Sequence, residues 1–544
     1  MASQFHLADL FEAVAATVPD RIAIESDSLR LTYAELDDRS DRLAAGLAAH
    51  GVGAGDTAGL YMANRAEYLE AFIALIKLGA VPFNVNYRYR EEELCHLFAN
   101  AGAAVIVHGA QFSPIVRAVR LRLPAIRLAV AVEDGSGGSN GSDGSGGSDG
   151  SGADIAGSIA YDTLLQAAPA KGWARSEQDI VLTYTGGTTG MPKGVMWPHK
   201  AFLFACAGGA GYFNPLGPLD RPEGIAERVH QSHRLLLFPL APLMHAAALW
   251  TTWSALLNGL TIVLDESPTF DAVAVWDKVA RLGVNIVQIV GDAMAVPLRD
   301  ALRAHPGRWN LAALVHLGSG GAVFSQHVKH DLQALLPTGV AILDGMGSSE
   351  TGVSGAAQAS SEGMMRLPAG DHQRVVIDGR FAQPGETGLV ARSGHVPIGY
   401  FGDPESSAKV FQRIAGQVWA VSGDSARQDA DGTIVVFGRG STSINSGGEK
   451  IFPEEVEEAL RAHPAILDAV VAGQPDARWG ERVVAIVASR PGAARPDQDT
   501  LRLFLADRLA RYKVPKALVW VDEVRRSPAG KQDYRWARAM AATA

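Results

Sequence analysis

Residues 184–194 read YTGGTTGMPKG, and they directly follow an apolar run at Ile180–Tyr184. The apolar run predicts a buried β-strand. The four glycines, three threonines and one lysine after it predict a loop whose N–H groups, hydroxyls and ammonium face phosphate oxygens. This is not a Walker A loop, because no Gly-Lys-[Ser/Thr] occurs at the required spacing. A flexible turn without a ligand is the alternative, and the order Thr-x-Gly-Thr-Thr-Gly-x-Pro-Lys-Gly argues against it.

Helix and strand patterns alternate before this loop. Thr32 and Glu35 have the spacing of a capping box that begins one helix. Gly79 is placed to end a second helix, whose apolar face includes Leu69. The short apolar run Ala104–His108 predicts a buried strand. Alternation of this kind predicts an α/β fold with mostly parallel sheets.

The alternation continues after the loop, to about residue 440. It predicts a helix at Asp271–Leu282 and strands at Thr261–Leu264, Asn285–Val290, Leu314–Leu317 and Val340–Leu343.

Beyond about residue 440 the pattern changes. Helices are predicted at Glu454–Ala462 and Thr500–Leu509, and strands at Ala469–Ala472, Val483–Ala488 and Leu518–Val521. These elements predict a compact α+β unit of roughly 100 residues. We therefore expect a large N-terminal domain at residues 1–440 and a small C-terminal domain at 441–544.

Residues 134–152 read DGSGGSNGSDGSGGSDGSG and interrupt the N-terminal pattern. A segment of glycine, serine, aspartate and asparagine has no apolar side chain to bury, which is typical of a flexible polar loop. We interpret it as a surface insertion without a catalytic role.

Composition excludes several classes of protein. The 544 residues are 47% hydrophobic and 20% charged, and the net charge is −9 at pH 7. This balance indicates a globular protein of at least two domains and argues against a nucleic-acid partner, which would need a basic surface. The two cysteines, Cys95 and Cys206, are predicted to be small core residues. No secretory signal and no apolar run of transmembrane length occurs, so a cytoplasmic enzyme is expected.

Motifs in a fixed order give a family resemblance that extends over nearly the whole chain. After YTGGTTGMPKG come PLMH, DGMGSSETG, SGD, FGRG, SGGEK and SPAGK. In this order they resemble the adenylate-forming superfamily, which includes acyl-CoA synthetases, peptide-synthetase adenylation domains and luciferases. The resemblance implies a large adenylate-forming domain and a small, mobile C-terminal domain.

The resemblance also implies a nucleotide site. Its phosphate loop would comprise Thr185, Gly186, Gly187, Thr188, Thr189, Gly190 and Lys193. Further nucleotide-binding residues would be Gly321, Ala322, Asp344, Gly345, Met346, Gly347, Ser348, Ser349, Asp424, Arg439 and Lys531. Glu350 would be the Mg²⁺ ligand, together with Thr185. Met346 replaces an aromatic residue and Ser349 replaces a threonine that the family usually has.

For the acid, the resemblance implies His245 as a residue that gates the pocket, and residues 246–253 and 291–298 as its walls. A buried structural histidine is the alternative for His245. The other predicted substrate-binding residues are Trp250, Gly291, Ser319 and Gly320.

For coenzyme A, the implied residues are Ser446, Gly447, Gly448 and Lys450. Ser441 occupies the hinge position, where relatives carry Asp or Lys.

The implied reaction is an acyl-CoA synthesis that consumes ATP. The carboxylate attacks the α-phosphorus, and Lys531 stabilises the developing charge, with Glu350, Thr185 and His245 as the other catalytic residues. Coenzyme A then attacks acyl-AMP. The motifs are most similar to those of bacterial enzymes for long-chain fatty acids and steroid side-chain acids.

Three alternatives remain open from the sequence. They are a ligase for aryl or short- to medium-chain acids, a ligase that loads a carrier protein, and a nucleotide-binding protein without activity. The oligomeric state is also open, and a homodimer is one option because dimers are common in the family.

Overall fold

The computed structural model describes residues 3–133, 157–185, 192–211, 216–322, 324–357, 365–368, 370–439, 442, 444–446, 449–476, 480–506, 508–509, 511–526 and 532–544. The insertion predicted at residues 134–152 therefore lies outside the described residues. Two compact units are present. Unit 1 comprises residues 1–271, 282–288 and 395–411, and unit 2 comprises residues 272–281, 289–394 and 412–544.

The helices, in chain order, are α1 (Leu7–Thr17), α2 (Tyr33–Ala49), α3 (Ala66–Lys77), α4 (Glu91–Asn100), α5 (Ser113–Arg122), α6 (Tyr161–Leu164), α7 (His199–Cys206), α8 (Gly224–Gln231), α9 (Ala246–Leu257), α10 (Ala272–Leu282), α11 (Gly291–Ala304), α12 (Gln326–Leu335), α13 (Pro404–Val410), α14 (Pro453–Arg461), α15 (Gln498–Ala506) and α16 (Tyr534–Ala541).

The strands are β1 (Ile22–Glu25), β2 (Arg30–Thr32), β3 (Thr57–Tyr61), β4 (Val81–Asn84), β5 (Val105–Gly109), β6 (Leu128–Val132), β7 (Ile159–Ala160), β8 (Ile180–Thr185), β9 (Lys193–Pro198), β10 (Leu236–Pro239), β11 (Thr261–Val263), β12 (Ile286–Ile289), β13 (His316–Gly320), β14 (Ala341–Ser348), β15 (Gly352–Ala357), β16 (Met365–Leu367), β17 (Gln373–Ile377), β18 (Arg380–Phe381), β19 (Thr387–Ser393), β20 (Gly399–Tyr400), β21 (Phe411–Ile414), β22 (Gln417–Gln428), β23 (Ile434–Arg439), β24 (Ile444–Ser446), β25 (Glu449–Ile451), β26 (Ile466–Asp476), β27 (Gly480–Ser489) and β28 (Ala517–Val521).

Unit 1 contains a sheet with the strand order β20-β9-β8-β4-β3-β5-β6-β7. The strands from β8 to β7 are parallel, while β9 and β20 are antiparallel to their neighbours. Phe83, Phe98 and Tyr184 lie in the apolar core on this sheet. A second group of strands in unit 1 has the order β12-β10-β11-β1-β2. All neighbours in it are parallel except β1 and β2, which are antiparallel to each other.

Unit 2 contains β13 and β14, which are parallel, and β15, which returns antiparallel to β14. A separate antiparallel sheet has the order β16-β23-β22-β19-β17-β18. The C-terminal part of unit 2 is a third sheet, β25-β24-β27-β26 with β28 beside β27, and helices α14, α15 and α16 accompany it. Two buried apolar clusters occupy this C-terminal part.

The predicted fold class is confirmed: parallel sheets dominate a large N-terminal part, and a small α+β part follows. The capping box at Thr32 and Glu35 forms as predicted. Helix α3 ends at Lys77, and Gly79 adopts the positive φ of 69° that the chain reversal requires. Cys95 and Cys206 are both buried, and neither forms a disulfide. The antiparallel sheet of unit 2 was not anticipated.

Candidate active site

Strands β8 and β9 of unit 1 are antiparallel neighbours on either side of residues 186–191. Thr185 ends β8 and is directly opposite Lys193, which begins β9. Gly194 is opposite Tyr184, and a Cβ on Gly194 would lie only 2.7 Å from the Tyr184 ring. The last glycine of the motif is therefore required by packing. The predicted phosphate-binding residues Gly186, Gly187, Thr188, Thr189 and Gly190 lie outside the described residues.

Lys193 is held by groups that the sequence did not reveal. Its Nζ lies 3.0 Å from Asp403 Oδ2 and also contacts Ser406 Oγ, and it stands 5.3 Å from the centre of the Tyr400 ring. Hydrogen bonds from Ser406 and Lys193 lower the pKa of Asp403 to about 2. Asp403 is therefore anionic at neutral pH, and it balances the charge of Lys193.

His245 is the N-cap residue of α9 and is half-buried. Its carbonyl accepts the N–H groups of Ala248 and Leu249, which starts the helix. One turn along α9, Trp250 is 5% exposed and meets Trp197 edge to face at 6.4 Å between ring centres. The predicted residues His245 and Trp250 thus lie on one helix of unit 1, and Trp250 belongs to an aromatic pair of the core.

Two asparagines of unit 1 also escaped the sequence interpretation. Asn84, at the end of β4, bonds to Tyr184 and to Met244. Asn64, shortly after β3, bonds to Leu243 and Ala241. Neither residue belongs to a motif of spaced glycines or charges, so the sequence carried no signal for them.

In unit 2, the residues predicted to flank the acid and the adenine come together around the end of β13. Ser319 Oγ accepts the backbone N–H of Gly291 at 2.9 Å. Gly291 has a φ of 51° and Gly321 a φ of 88°, so both positions favour glycine. Gly320 ends the strand, and Ala322 follows in the turn before α12. The structure therefore brings Gly291 and the 319–322 turn together.

A tight turn between β14 and β15 presents Ser349 and Glu350. Ser348 and Thr351 close it through reciprocal hydrogen bonds of 3.1 to 3.2 Å. The N–H of Glu350 donates to Ser348 Oγ at 3.3 Å. Beneath the turn, buried Arg392 donates to the carbonyls of Thr351 and Val353, at 3.0 Å for the Thr351 oxygen.

Glycines of β14 make its close approach to β15 and to β13 possible. A Cβ on Gly347 would lie 2.4 Å from the Gly352 oxygen, and one on Gly345 would lie 3.3 Å from the Ser319 oxygen. Met346 lies between them and packs against the apolar core of the antiparallel sheet.

Asp344 forms an ion pair with Lys329, whose Nζ is 3.0 Å from Asp344 Oδ2. Burial raises the pKa of the Asp344 carboxyl, and the Lys329 ammonium opposes that rise. Lys329 is on α12, 15 positions before its partner, and the sequence interpretation missed it.

The predicted ribose ligands occupy facing strands. Asp424 on β22 is directly opposite Arg439 on β23. The N–H of Asp424 donates to Ser422 Oγ at 3.1 Å, which shapes the strand at the Ser-Gly-Asp motif. The structure thus places the two backbones side by side.

Several predicted residues of the C-terminal part fall outside the described residues: Ser441, Gly447, Gly448 and Lys531. Ser446 ends β24 and is paired with Glu449, and Lys450 lies on the return strand β25. On either side of residues 527–531, Arg526 and Gln532 form an antiparallel bridge.

The groups that flank this bridge are anchored in the C-terminal sheet and helix. Arg526 makes a bidentate ion pair with Asp468, with contacts of 2.7 to 3.0 Å. Gln532 donates to the buried Glu457 at 3.2 Å.

The donor set predicted for Mg²⁺ is the Thr185 hydroxyl and the Glu350 carboxylate. Both are hard oxygen donors, so their chemistry fits that ion. Among the described residues, one cluster of carboxylates is close enough together to hold a metal ion, and it consists of Glu12, Asp37 and Asp41. Lys77 and Lys171 already neutralise its two aspartates, at 2.5 to 3.0 Å.

Comparison with protein families identifies the class of this chain. Residues 11–401 match the AMP-binding enzyme model, and residues 455–531 match the AMP-binding enzyme C-terminal domain. The chain belongs to the AMP-binding enzyme family.

Curated relatives narrow the class. A medium/long-chain-fatty-acid–CoA/3-oxocholest-4-en-26-oate–CoA ligase of Mycobacterium marinum is 41% identical, over 99% of this chain and 97% of the relative. A 3-oxocholest-4-en-26-oate–CoA ligase of Rhodococcus rhodochrous is 39% identical, over 98% and 95%. The predicted enzyme class, an AMP-forming acid–thiol ligase, is confirmed.

Solved structures share the fold. The anthranilate CoA ligase AuaEII, in complex with anthranoyl-AMP, aligns with a TM-score of 0.82 at 21% identity, covering 99% of this chain and 98% of that one. Among the described residues, no helix combines the length and the apolarity that a membrane span requires.

Proposed function

We propose that this enzyme converts a hydrophobic carboxylic acid, either a medium- or long-chain fatty acid or a steroid side-chain acid, to its coenzyme A thioester through acyl-AMP. The observation that carries the proposal is the 41% identity, over 99% of the chain, to a ligase named for both acids. ATP and coenzyme A are the co-substrates. Release of AMP and pyrophosphate follows from the intermediate.

In the first half-reaction, the substrate carboxylate attacks the α-phosphorus of ATP and pyrophosphate leaves. Thr185, Lys193 and the intervening loop bind the phosphates, while Asp424 accepts hydrogen bonds from the ribose hydroxyls. Lys531 stabilises the negative charge that develops on the transferred group. Glu350 and Thr185 would hold Mg²⁺, which supplies charge neutralisation at the phosphates when bound.

In the second half-reaction, the thiol of coenzyme A attacks the acyl carbonyl and AMP leaves. We assign Ser446, Gly447, Gly448 and Lys450 to coenzyme A and Ser441 to the hinge. The boundary between residues 440 and 441 remains a proposal, supported by the separate family match at 455–531.

Substrate class follows from the relatives and from burial of the acid. Each buried methylene contributes about 0.8 kcal/mol. A pocket for a long chain or a sterol side chain should therefore show a steep dependence of kcat/KM on acid length. Aryl acids form the comparison class, because a feruloyl-CoA synthase of Amycolatopsis sp is 33% identical over 94% of this chain.

The test is carboxylate-dependent pyrophosphate release with purified protein, Mg²⁺ and ATP. The acids are a series of fatty acids, 3-oxocholest-4-en-26-oate, and ferulate. Each is assayed with and without coenzyme A. We expect release with the fatty or steroid acids and thioester only when coenzyme A is added. Pyrophosphate release with ferulate and with no other acid would overturn the proposed substrate class. Pyrophosphate release without thioester formation would overturn the proposal that coenzyme A is the acceptor.

A further inference from the structure

Asn84 joins two segments of unit 1 that are far apart in the chain. It is 8% exposed and lies at the end of β4. Its Oδ1 accepts the backbone N–H of Tyr184 at 2.8 Å. Its Nδ2 donates to the carbonyl of Tyr184 at 2.9 Å and to the carbonyl of Met244 at 2.6 Å. One side chain therefore binds the residue before Thr185 and the residue before His245.

Asn64 holds the second of these segments only. Its Oδ1 accepts the N–H of Leu243 at 2.7 Å, and its Nδ2 donates to the carbonyl of Ala241 at 3.3 Å. It follows β3, the neighbour of β4 in the parallel sheet. Two adjacent strands are thus each followed or ended by an asparagine, and both asparagines form hydrogen bonds with the backbone of residues 241–244.

The chemistry of the amide explains why asparagine occupies these positions. Buried backbone groups need hydrogen-bond partners, and a side chain can provide them where a strand or helix does not. A primary amide offers an acceptor and two donors on one short, rigid group. At position 84 that group satisfies one N–H and two carbonyls together. An aspartate would keep the acceptor but set its second oxygen against two carbonyl oxygens, and an alanine would leave all three groups without this partner.

We propose that Asn84 is a positioning residue that keeps the strand leading into the phosphate loop and the turn carrying His245 at a fixed spacing, so that nucleotide and acid are bound in register. Asn64 positions the His245 turn alone. This rests on the proposed function, in which Thr185 contacts the phosphates and His245 borders the acid. Neither asparagine touches a reacting atom.

The experiment compares Asn84→Ala and Asn84→Asp with Asn64→Ala, using steady-state pyrophosphate release by the full-length enzyme. The KM for ATP and the KM for the best fatty acid are measured separately. Loss of a buried hydrogen bond costs about 1–3 kcal/mol, which corresponds to roughly 5- to 150-fold. For Asn84 variants we expect both KM values to rise at least fivefold and kcat to fall. For Asn64→Ala we expect the KM for the acid to rise while the KM for ATP stays within about twofold.

A structural role without positioning would produce a different result. Asn100→Ala serves as the control. Asn100 Oδ1 accepts a hydrogen bond from the Tyr184 hydroxyl at 2.7 Å, so this substitution removes a bond to the Tyr184 side chain and leaves the bonds to its backbone in place. Melting temperatures are recorded for all four variants. If Asn84 variants lower the melting temperature but leave both KM values unchanged, or raise only the KM for the acid as Asn64→Ala does, the proposal is overturned.

Failure of the proposed function is distinguishable from failure of this inference. Wild-type protein that releases no pyrophosphate with any acid contradicts the function. Wild-type protein that is active, with Asn84 variants that keep wild-type KM values, contradicts only the positioning role. In the first case the inference is still tested by calorimetric binding of ATP, because Asn84→Asp should weaken ATP binding while Asn64→Ala should not.

Discussion

Two histidines of unit 1 form a stacked, buried pair. The rings of His6 and His199 are 4.0 Å apart at an interplanar angle of 19°, and both side chains are fully buried. Each ring also accepts a backbone N–H at the start of α1, since His6 accepts the N–H of Ala8 and His199 accepts the N–H of Leu7. Burial, with a smaller effect of Arg175, lowers the pKa of His6 to about 3, and burial also lowers the pKa of His199.

This pair predicts a loss of stability in mild acid. A histidine whose folded-state pKa is depressed binds protons more readily when unfolded, so its stabilisation is complete above pH 6.5 and falls as the pH drops towards about 3. At pH 5.5 the loss from His6 alone should be on the order of 1 kcal/mol. We expect the wild type to lose more melting temperature between pH 7.5 and 5.5 than His6→Asn, which keeps the capping acceptor but does not titrate. Equal losses in the two proteins would refute the assignment.

At this scale the sequence predicted residues that act through local rules and missed those that act through distant contacts. Thr32 and Gly79 do their work within four positions of themselves, so spacing identifies them. Asn84 bonds to residues 100 and 160 positions away. Arg392 reaches back about 40 positions to Thr351. The spacing of residues in a single sequence does not indicate partners so far apart in the chain.

The turn between β14 and β15 is the element on which the proposed Mg²⁺ ligand Glu350 depends. Replacing Arg392 with methionine keeps a long apolar stem but removes the donors to the Thr351 and Val353 carbonyls. Unpaired buried carbonyls cost about 1–3 kcal/mol each. We expect Arg392→Met to raise the Mg²⁺ concentration needed for half-maximal pyrophosphate release at least fivefold.

The control for Arg392 is Arg380→Met on the same sheet. Arg380 is 54% exposed and pairs with Glu386, so its loss should change the Mg²⁺ dependence little. An unchanged Mg²⁺ requirement in Arg392→Met, together with a lower melting temperature, would show that Arg392 supports the sheet but not the site.

The described ends of the connection between β6 and β7 lie close together. These strands are parallel neighbours, with Val130 beside Ile159. Deleting residues 134–152 leaves seven residues between Val132 and Ile159, enough to span about 25 Å. The gap is only about 7 Å along the strands and about 5 Å across them.

We therefore expect the deletion to leave kcat within about twofold of wild type, because Ser158, bonded to His108 at 3.0 Å, still anchors the return. Steady-state pyrophosphate release would measure this. A replacement of equal length made only of glycine and serine is the control for sequence effects. A large loss of turnover in the deletion, but not in the replacement, would give the segment a role in catalysis.

Among the elements, the short apolar strands were predicted, including the antiparallel pair β26 and β27 of the C-terminal sheet, whereas the antiparallel sheet that contains β22 was not. Ile180–Thr185 and Ile286–Ile289 are short apolar runs of the kind that indicates a buried parallel strand. Strand β22 has 12 residues, includes the polar Ser-Gly-Asp motif, and shifts register against both neighbours. Its apolar residues do not alternate regularly along the strand. The Ser-Gly-Asp motif was interpreted as a ribose-binding motif and not as part of a strand.

On the scale of the molecule, the predicted nucleotide-binding residues fall in both units. Thr185 and Lys193 belong to unit 1, and Glu350, Asp424 and Arg439 belong to unit 2. If the predicted roles hold, unit 1 contributes the phosphate-binding Thr185 and Lys193, and unit 2 contributes the carboxylate of Glu350 and the ribose ligands. The motifs could be found in the sequence because each of them is local, whereas the packing around them depends on residues distant in the chain.

The proposed division of labour along the chain makes Lys531 specific to adenylation. Removing a group that stabilises developing charge costs about 2.7–4 kcal/mol, so Lys531→Ala should slow pyrophosphate release by roughly 100- to 1,000-fold. Thioester formation from supplied acyl-AMP needs no charge neutralisation at the α-phosphate during attack by the carboxylate, and it should stay within about threefold of wild type. Both rates are measured on the same preparation.

The matched control is Lys516→Ala, an exposed lysine beside β28 of the same C-terminal sheet. It should leave both half-reactions unchanged. If Lys531→Ala slows both half-reactions equally, the lysine serves the whole site and the two halves do not use separate residues. If it slows only adenylation, the C-terminal part must present different groups in each half-reaction, as the proposed assignment of Ser446 and Lys450 to coenzyme A requires.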